Sequence, residues 1–259
     1  MSVLVSSFHQ VTVLDESGQT QVIQIANEAP LAVWVDHHPL VTLMTLGNFP
    51  EALAIGYLRN QLLVEKFDQI RSIQIQQEQA IVQVITHEGL KHKQIPSQTT
   101  MGCGQGTTLN NNGPKKRLHA VEIKQSFIYT LLQTFAEYNQ IYRQVGGVHG
   151  CALCQGTHIL AFVEDVGRHN ATDTIAGLMW LQNWNGEDKI FYTTGRLTSE
   201  IIMKVAHLGV PFLISRSGIT YRGVQIAQAT GMTVIAHAKD KHFLIFSGQE
   251  HIIFDVKSS

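Results

Sequence analysis

Charge is scarce in this chain. Asp, Glu, Lys and Arg make up 15% of its 259 residues, against about 25% in ordinary soluble domains. So little charge implies surface that is covered in use, by a subunit partner or a large ligand. The two signs nearly cancel, 19 basic against 20 acidic, for a net charge of −1. That balance excludes a broadly basic nucleic-acid binder and an acidic tail protein. Basic residues are missing altogether before Arg59, so the sequence offers no positive n-region for a secretory signal. Long apolar runs are missing too: stretches such as Leu31-Ala32-Val33-Trp34-Val35 fall far short of the roughly 20 residues needed to cross a bilayer. Cysteine is limited to three, an odd number that argues against a disulfide framework. The expectation is a cytoplasmic globular protein with reduced thiols, no membrane anchor and no nucleic-acid partner.

Several nucleotide and hydrolase signals are also absent: no G-x-x-x-x-G-K-[ST], no G-x-G-x-x-G after a strand, and no G-x-S-x-G. What is present falls into two textures. Val3–Leu14, Thr20–Ile25, Leu31–Val35, Leu40–Leu46, Ile70–Ile75 and Ile81–Ile85 carry alternating or β-branched apolar residues, which predicts strands. Asp36-His37-His38-Pro39 predicts a tight turn, and Pro50–Arg59 a short helix with Pro50 at its first position. Gln98–Pro114, with four glycines and almost no apolar residues, predicts a mobile loop and a domain boundary. Beyond it, Ile123, Phe127, Leu131 and Phe135 recur every four residues, a helical stripe. Alternating units follow: strand His158–Val163, helix Asn170–Leu181, strand Lys189–Tyr192, helix Thr198–Leu208, strand Pro211–Ser215 and helix Thr220–Thr230. Strands Met232–His237 and His242–Phe246 close the pattern. The reading is α/β: a small β-rich domain over 1–114 and a three-layer α/β domain over 115–259.

Three strand-to-helix junctions pair glycine with arginine: Gly167-Arg168, Gly195-Arg196, and Arg216 near Gly218. In α/β sheets ligands bind beyond the carboxyl ends of the strands. Glycine allows close backbone approach, helix N-termini attract anions, and arginine is a bidentate phosphate donor. The alternative is local pairing, for example of Arg168 with Glu164 or Asp165. Those adjacent carboxylates suit an acid/base pair or a base or metal contact, or Asp165 caps the following helix. Cys103 sits in Gly102-Cys103-Gly104-Gln105-Gly106 with Lys115, Lys116 and Arg117 shortly after. Flanking glycines leave such a thiol uncrowded, and nearby cations favour thiolate. Cys151-Ala-Leu-Cys154, close to His149, has the spacing of a redox pair or half a zinc site; on a helix the two thiols would share one face and pack in the core. A zinc deaminase would add His-x-Glu, which is lacking here.

Glu164-Asp165-Val166-Gly167-Arg168-His169-Asn170-Ala171, with Asp173, closely resembles the signature of the FdhD family, the formate dehydrogenase accessory sulfurtransferases. Gly146-Gly147-Val148-His149, Thr194-Gly195-Arg196 with Ser199 and Glu200, Glu28-Ala29-Pro30-Leu31 and Phe49–Leu58 resemble neighbouring family blocks in the same order. The resemblance implies a sulfur carrier and a homodimer. Such a carrier takes sulfur from a cysteine desulfurase as a persulfide and passes it to the molybdenum or tungsten bis(pterin guanine dinucleotide) cofactor of formate dehydrogenase. It also implies a C-terminal domain resembling the cytidine deaminase fold. By alignment Cys103 is the persulfide cysteine. Phe243-Leu244-Ile245-Phe246-Ser247-Gly248 aligns with a cofactor-binding segment, so that this strand end would edge the same site. Gly167, Arg168, His169, Gly195, Arg196 and Arg216 are the expected phosphate or base contacts, and GDP is the natural fragment ligand. No metal ligands are assigned. The family's loop typically reads C-G-x-C-G, and here the second cysteine is replaced by Gly106; the lysine that often follows the signature aspartate is replaced by Thr174. Two other readings stay open: a cofactor-binding chaperone without sulfur transfer, and a zinc-dependent deaminase-like hydrolase using His149, Cys151 and Cys154.

Overall fold

A computed structural model describes residues 7–89, 99–101 as backbone, 117–119 and 121–256. In chain order the first elements are β1 (Phe8–Leu14), β2 (Thr20–Ala26), β3 (Ala29–Val35), β4 (His38–Thr45), α1 (Pro50–Asn60), β5 (Ile70–Gln76), β6 (Ile81–Thr86) and β7 (Thr99–Met101). They are followed by β8 (Ile123–Lys124), α2 (Gln125–Tyr138), α3 (Gln140–Val145), β9 (His149–Gln155), β10 (His158–Asp165) and α4 (Arg168–Leu181). The last are β11 (Lys189–Thr193), α5 (Ser199–His207), β12 (Phe212–Ser215), α6 (Tyr221–Thr230), β13 (Thr233–Lys239), β14 (His242–Ser247) and β15 (Ile252–Ile253). No helix of the described residues is long and apolar enough to cross a membrane.

The chain divides into two compact units. The first takes the elements through β7 and adds Gln140–His149 and Glu164–Gly177; the second takes the described residues up to Asn139, then Gly150–Val163, then Leu178 onward. This differs from the expected split at 114/115, because two later segments return to the first unit.

In the first unit a five-stranded sheet has the order β5-β6-β3-β4-β7. Strands β3 and β4 form a hairpin through Asp36 and His37, whose φ values of 47° and 67° are those of the mirror-image turn that matches strand twist. Strand β7 pairs parallel with β4, Met101 opposite Leu43. It lies inside the segment expected to be a loop; the remainder, residue 98 and 102–114 with Cys103, is outside the described residues. Helix α1 is buried except at Glu51 and Arg59. It meets the first turns of α4 at glycine: a Cβ on Gly56 would stand 1.6 Å from the Asp173 carbonyl, and one on Gly177 1.9 Å from that of Ala52. Asn60 donates to Asp173 Oδ1 at 2.7 Å and Arg59 to the Ala176 carbonyl at 2.8 Å. Two backbones in contact, laced by side-chain hydrogen bonds, fix α4 to this unit.

In the second unit a six-stranded sheet has the order β10-β9-β11-β12-β13-β14. Strands β11, β12 and β13 are parallel, while β9 and β14 flank them antiparallel. Right-handed crossovers between successive parallel neighbours place α5 and α6 on one face. Helix α2 covers the other: Ile128, Leu131 and Phe135 pack with Ile190, Tyr192 and Ile214. Phe135 stacks on Tyr192 with centroids 4.0 Å apart. The expected three-layer α/β architecture is present. The C-x-x-C lies on strand β9, not on a helix. Cys154 faces α2 within that core. Cys151, three residues earlier on a strand, points to the opposite face, where its thiol donates to Thr193 Oγ1 at 3.3 Å.

Candidate functional site

The signature block builds its corner of the first unit from two adjacent carboxylates that point opposite ways. Glu164 accepts from the backbone N–H of Ile141 and of Tyr142, each at 2.9 Å, and so caps α3. Asp165 is buried and gathers donors from two elements. Its Oδ1 accepts from the Gly167 N–H at 2.9 Å and from Asn170 Nδ2 at 3.1 Å; its Oδ2 accepts from the Thr45 hydroxyl and, at 3.2 Å, from the Leu46 N–H. Asn170 Nδ2 also donates to the Met44 carbonyl at 2.6 Å. Burial outweighs these four donors and pushes the Asp165 carboxyl up to about 6. Both carboxylates accept from protein backbone N–H groups, which is the structural rather than the chemical one of the roles considered for them. Helix α4 begins at Arg168, two residues earlier than expected, with Asp165 accepting from the Gly167 N–H just before it and from the Asn170 side chain in its first turn.

Arg168 has the burial of a core residue, 8% exposed, but not the partners of one. Among the described residues its Nε has no hydrogen-bond partner, and the alternative reading, a local ion pair with Glu164 or Asp165, is not seen. A buried guanidinium donor without an acceptor costs about 1–3 kcal/mol, so this is the polar group in the corner that calls for a ligand. Gly167 keeps a tight approach, since a Cβ there would stand 3.1 Å from Asn170 Nδ2. His169 is half-buried on the first turn of α4.

In the second unit, the carboxyl ends of β11 and β12 are laced together. Arg216 N–H donates to the Thr193 carbonyl at 3.0 Å, Ser215 Oγ to the Gly195 carbonyl at 2.8 Å, and Leu197 N–H to the Gly218 carbonyl at 2.9 Å. The loops carrying Arg196 and Arg216 are therefore one assembly, and both arginines are exposed. His237, at the end of β13 in a left-handed conformation with φ 52°, joins it: its N–H donates to the Ser217 carbonyl at 2.9 Å.

The segment 243–248 is only partly placed beside these loops. Phe243 and Ile245 pack toward the α2 core, and Ser247 pairs with Val234 at the start of β13, the opposite sheet end from Arg216. Gly248 turns there, its φ 74° and a Cβ position 2.3 Å from Thr233 Oγ1 marking a turn glycine. Phe246, whose ring lies 6.2 Å from that of His237, and the exposed Leu244 remain available to a ligand. His237 carries no motif and was not expected from sequence. Thr45 was missed as well, and its only signal is a polar residue ending an apolar strand.

Cys151 and Cys154 are buried thiols, and burial pushes the Cys154 thiol up to about 12, which suppresses thiolate. With the two thiols on opposite sheet faces, the C-x-x-C cannot chelate one ion, and the zinc hydrolase reading loses its ligands. Among the described residues no three His, Cys, Asp or Glu side chains are grouped to hold a metal.

Comparison with known proteins gives one consistent answer. The FdhD/NarQ family matches residues 26–253. "Sulfur carrier protein FdhD" of Listeria monocytogenes is 29% identical over 94% of this chain and 98% of its own. The protein of that name from Bacillus subtilis is 26% identical over 92% and 94%. The crystal structure of a putative formate dehydrogenase accessory protein from Desulfotalea psychrophila superposes with a TM-score of 0.77 at 25% identity, covering 95% of this chain and 98% of that one. With its signature block, its α/β fold and a match across most of its length, this chain belongs to the FdhD/NarQ family.

Proposed function

We propose that this protein is a sulfur carrier in formate dehydrogenase maturation, with Cys103 as the carrying thiol. The Cys103 thiolate attacks the outer sulfur of a persulfide on a cysteine desulfurase; that S–S bond breaks, the desulfurase thiolate leaves, and Cys103 holds the sulfur as its own persulfide. The acceptor is the molybdenum or tungsten bis(pterin guanine dinucleotide) cofactor, bound as cargo with the Arg168 guanidinium as a phosphate contact.

The observation that carries this reading is the register of β7. Met101 lies beside Leu43 and runs parallel with β4, and β4 leads into Thr45 and Leu46, which Asp165 holds. Met101 is the last described residue before the segment that carries Cys103. The described chain thus stops, just before Cys103, beside the strand that leads into the corner holding Arg168. The glycine at 106 favours a second reading, a cofactor chaperone that has lost transfer.

Mass spectrometry after incubation with a desulfurase and cysteine separates the two. The expected result is one added sulfur on Cys103 and none on the Cys103→Ala protein. No added sulfur on the native chain supports the chaperone, and a sulfur mapped to Cys151 or Cys154 overturns the carrier assignment.

A further inference from the structure

The Asp165 corner contains more than one capped helix turn. Asp165 ties Gly167 and Asn170 on one oxygen and Thr45 and Leu46 on the other. Asn170 reaches past it to the Met44 carbonyl. The Gly167 backbone on one side of Arg168 and the Asn170 side chain on the other are thereby bound to the end of β4. It is pinned again from within α4, where Ala171 N–H donates to the Gly167 carbonyl at 3.0 Å and Thr172 Oγ1 to the Arg168 carbonyl at 2.9 Å. An arginine on a loose turn would swing its guanidinium into water; here the anchored turn keeps the Nε buried and without an acceptor among the described residues.

We infer that Thr45, Asp165 and Asn170 are positioning residues, which hold the Arg168 guanidinium ready for a pyrophosphate-class anion. The inference rests on the reading of Arg168 as a phosphate contact. None of the three need touch the ligand. Their role is to have the ordering of Arg168 already done when the anion arrives, the usual source of affinity in a preorganised site.

The Thr45 side chain provides the discriminating pair of variants. Thr45→Val keeps the shape and removes the hydroxyl donor; Thr45→Ser keeps the donor and removes a methyl group. Calorimetry with inorganic pyrophosphate on the full chain should show Thr45→Val binding roughly tenfold more weakly, the scale of one charge-assisted hydrogen bond. Thr45→Ser should bind as the native chain does. Asn60→Ala serves as a stability control: it breaks the contact with Asp173, away from the clasp. It should lower the melting temperature and leave pyrophosphate affinity unchanged. Arg168→Ala tests the underlying reading and should abolish most binding. If Arg168→Ala binds as the native chain does, or if the native chain does not bind pyrophosphate, the phosphate reading falls and the positioning role with it. If Arg168→Ala loses binding while Thr45→Val keeps it, or if Thr45→Ser falls as far as Thr45→Val, the positioning role alone is overturned.

Discussion

Asp165 shows how one residue carries opposing demands. Four donors surround it, an arrangement that favours the carboxylate, and full burial opposes the charge and wins. The sign of the pH effect follows. A folded pKa of about 6 above the ordinary 3.8 means that the folded state binds a proton more tightly than the unfolded chain. The stabilisation from that proton is complete below about pH 4 and is lost as pH rises through 6, an effect of about 3 kcal/mol. Other carboxylates titrate in the same range, so the clean observable is a difference. The stability of the native chain minus that of Asp165→Asn, from urea unfolding at several pH values, should shrink between pH 4 and pH 7. A difference that stays flat or grows would contradict the burial-dominated shift. The asparagine should be less stable at pH 4 for a separate reason: either amide orientation turns an NH2 toward backbone or side-chain N–H donors that now face oxygen.

Among the elements, the crossing of α1 and α4 has the least tolerance. Both helices bring a glycine to the contact, and each lies against a carbonyl of the partner helix. An alanine cannot be accommodated by a rotamer change, because the obstacle is backbone. Gly56→Ala and Gly177→Ala should each lower stability by about 3 kcal/mol or more, read as a shift in urea midpoint at constant slope. These contacts explain what the sequence did and did not disclose. Strands β3, β4 and β6 alternate and were legible, as was α1 from Pro50 onward. Strand β9 was not: Cys151-Ala-Leu-Cys154 is buried on both faces, so no alternation marks it. Strand β7 was hidden in a glycine-rich stretch, because its pairing partner lies far away on β4. The arginine junctions were readable as composition. The clasp was not, since Asp165 and Thr45 are 120 positions apart and no local pattern connects them.

At the scale of the whole molecule, the two units are interleaved along the chain. Residues 140–149 and 164–177 return to a unit begun near the N-terminus. A cut at 114, where composition alone suggests a boundary, therefore yields no complete unit. The fragment 1–114 lacks Asp165 for Thr45 and Leu46, and lacks α4 against Ala52 and Gly56. It should remain unfolded or aggregate, with no cooperative thermal transition by circular dichroism; a sharp transition would show that the first unit does not need its returning segments.

The same interleaving sets an order of events during synthesis. The last strand of the N-terminal stretch, ending at Met101, leaves the ribosome well before residue 177, the last that its unit requires. At about 5–20 residues per second, the stretch from 105 to 177 takes roughly 4 to 14 s to translate. Through that interval β4 lacks the partner of Thr45, and the glycine face of α1 is uncovered. A nascent chain in this condition exposes apolar surface of the kind that ribosome-associated chaperones cover. The anchored turn around the arginine that follows Gly167 thus forms only late in elongation, once Asp165 and Asn170 have emerged to meet the end of β4.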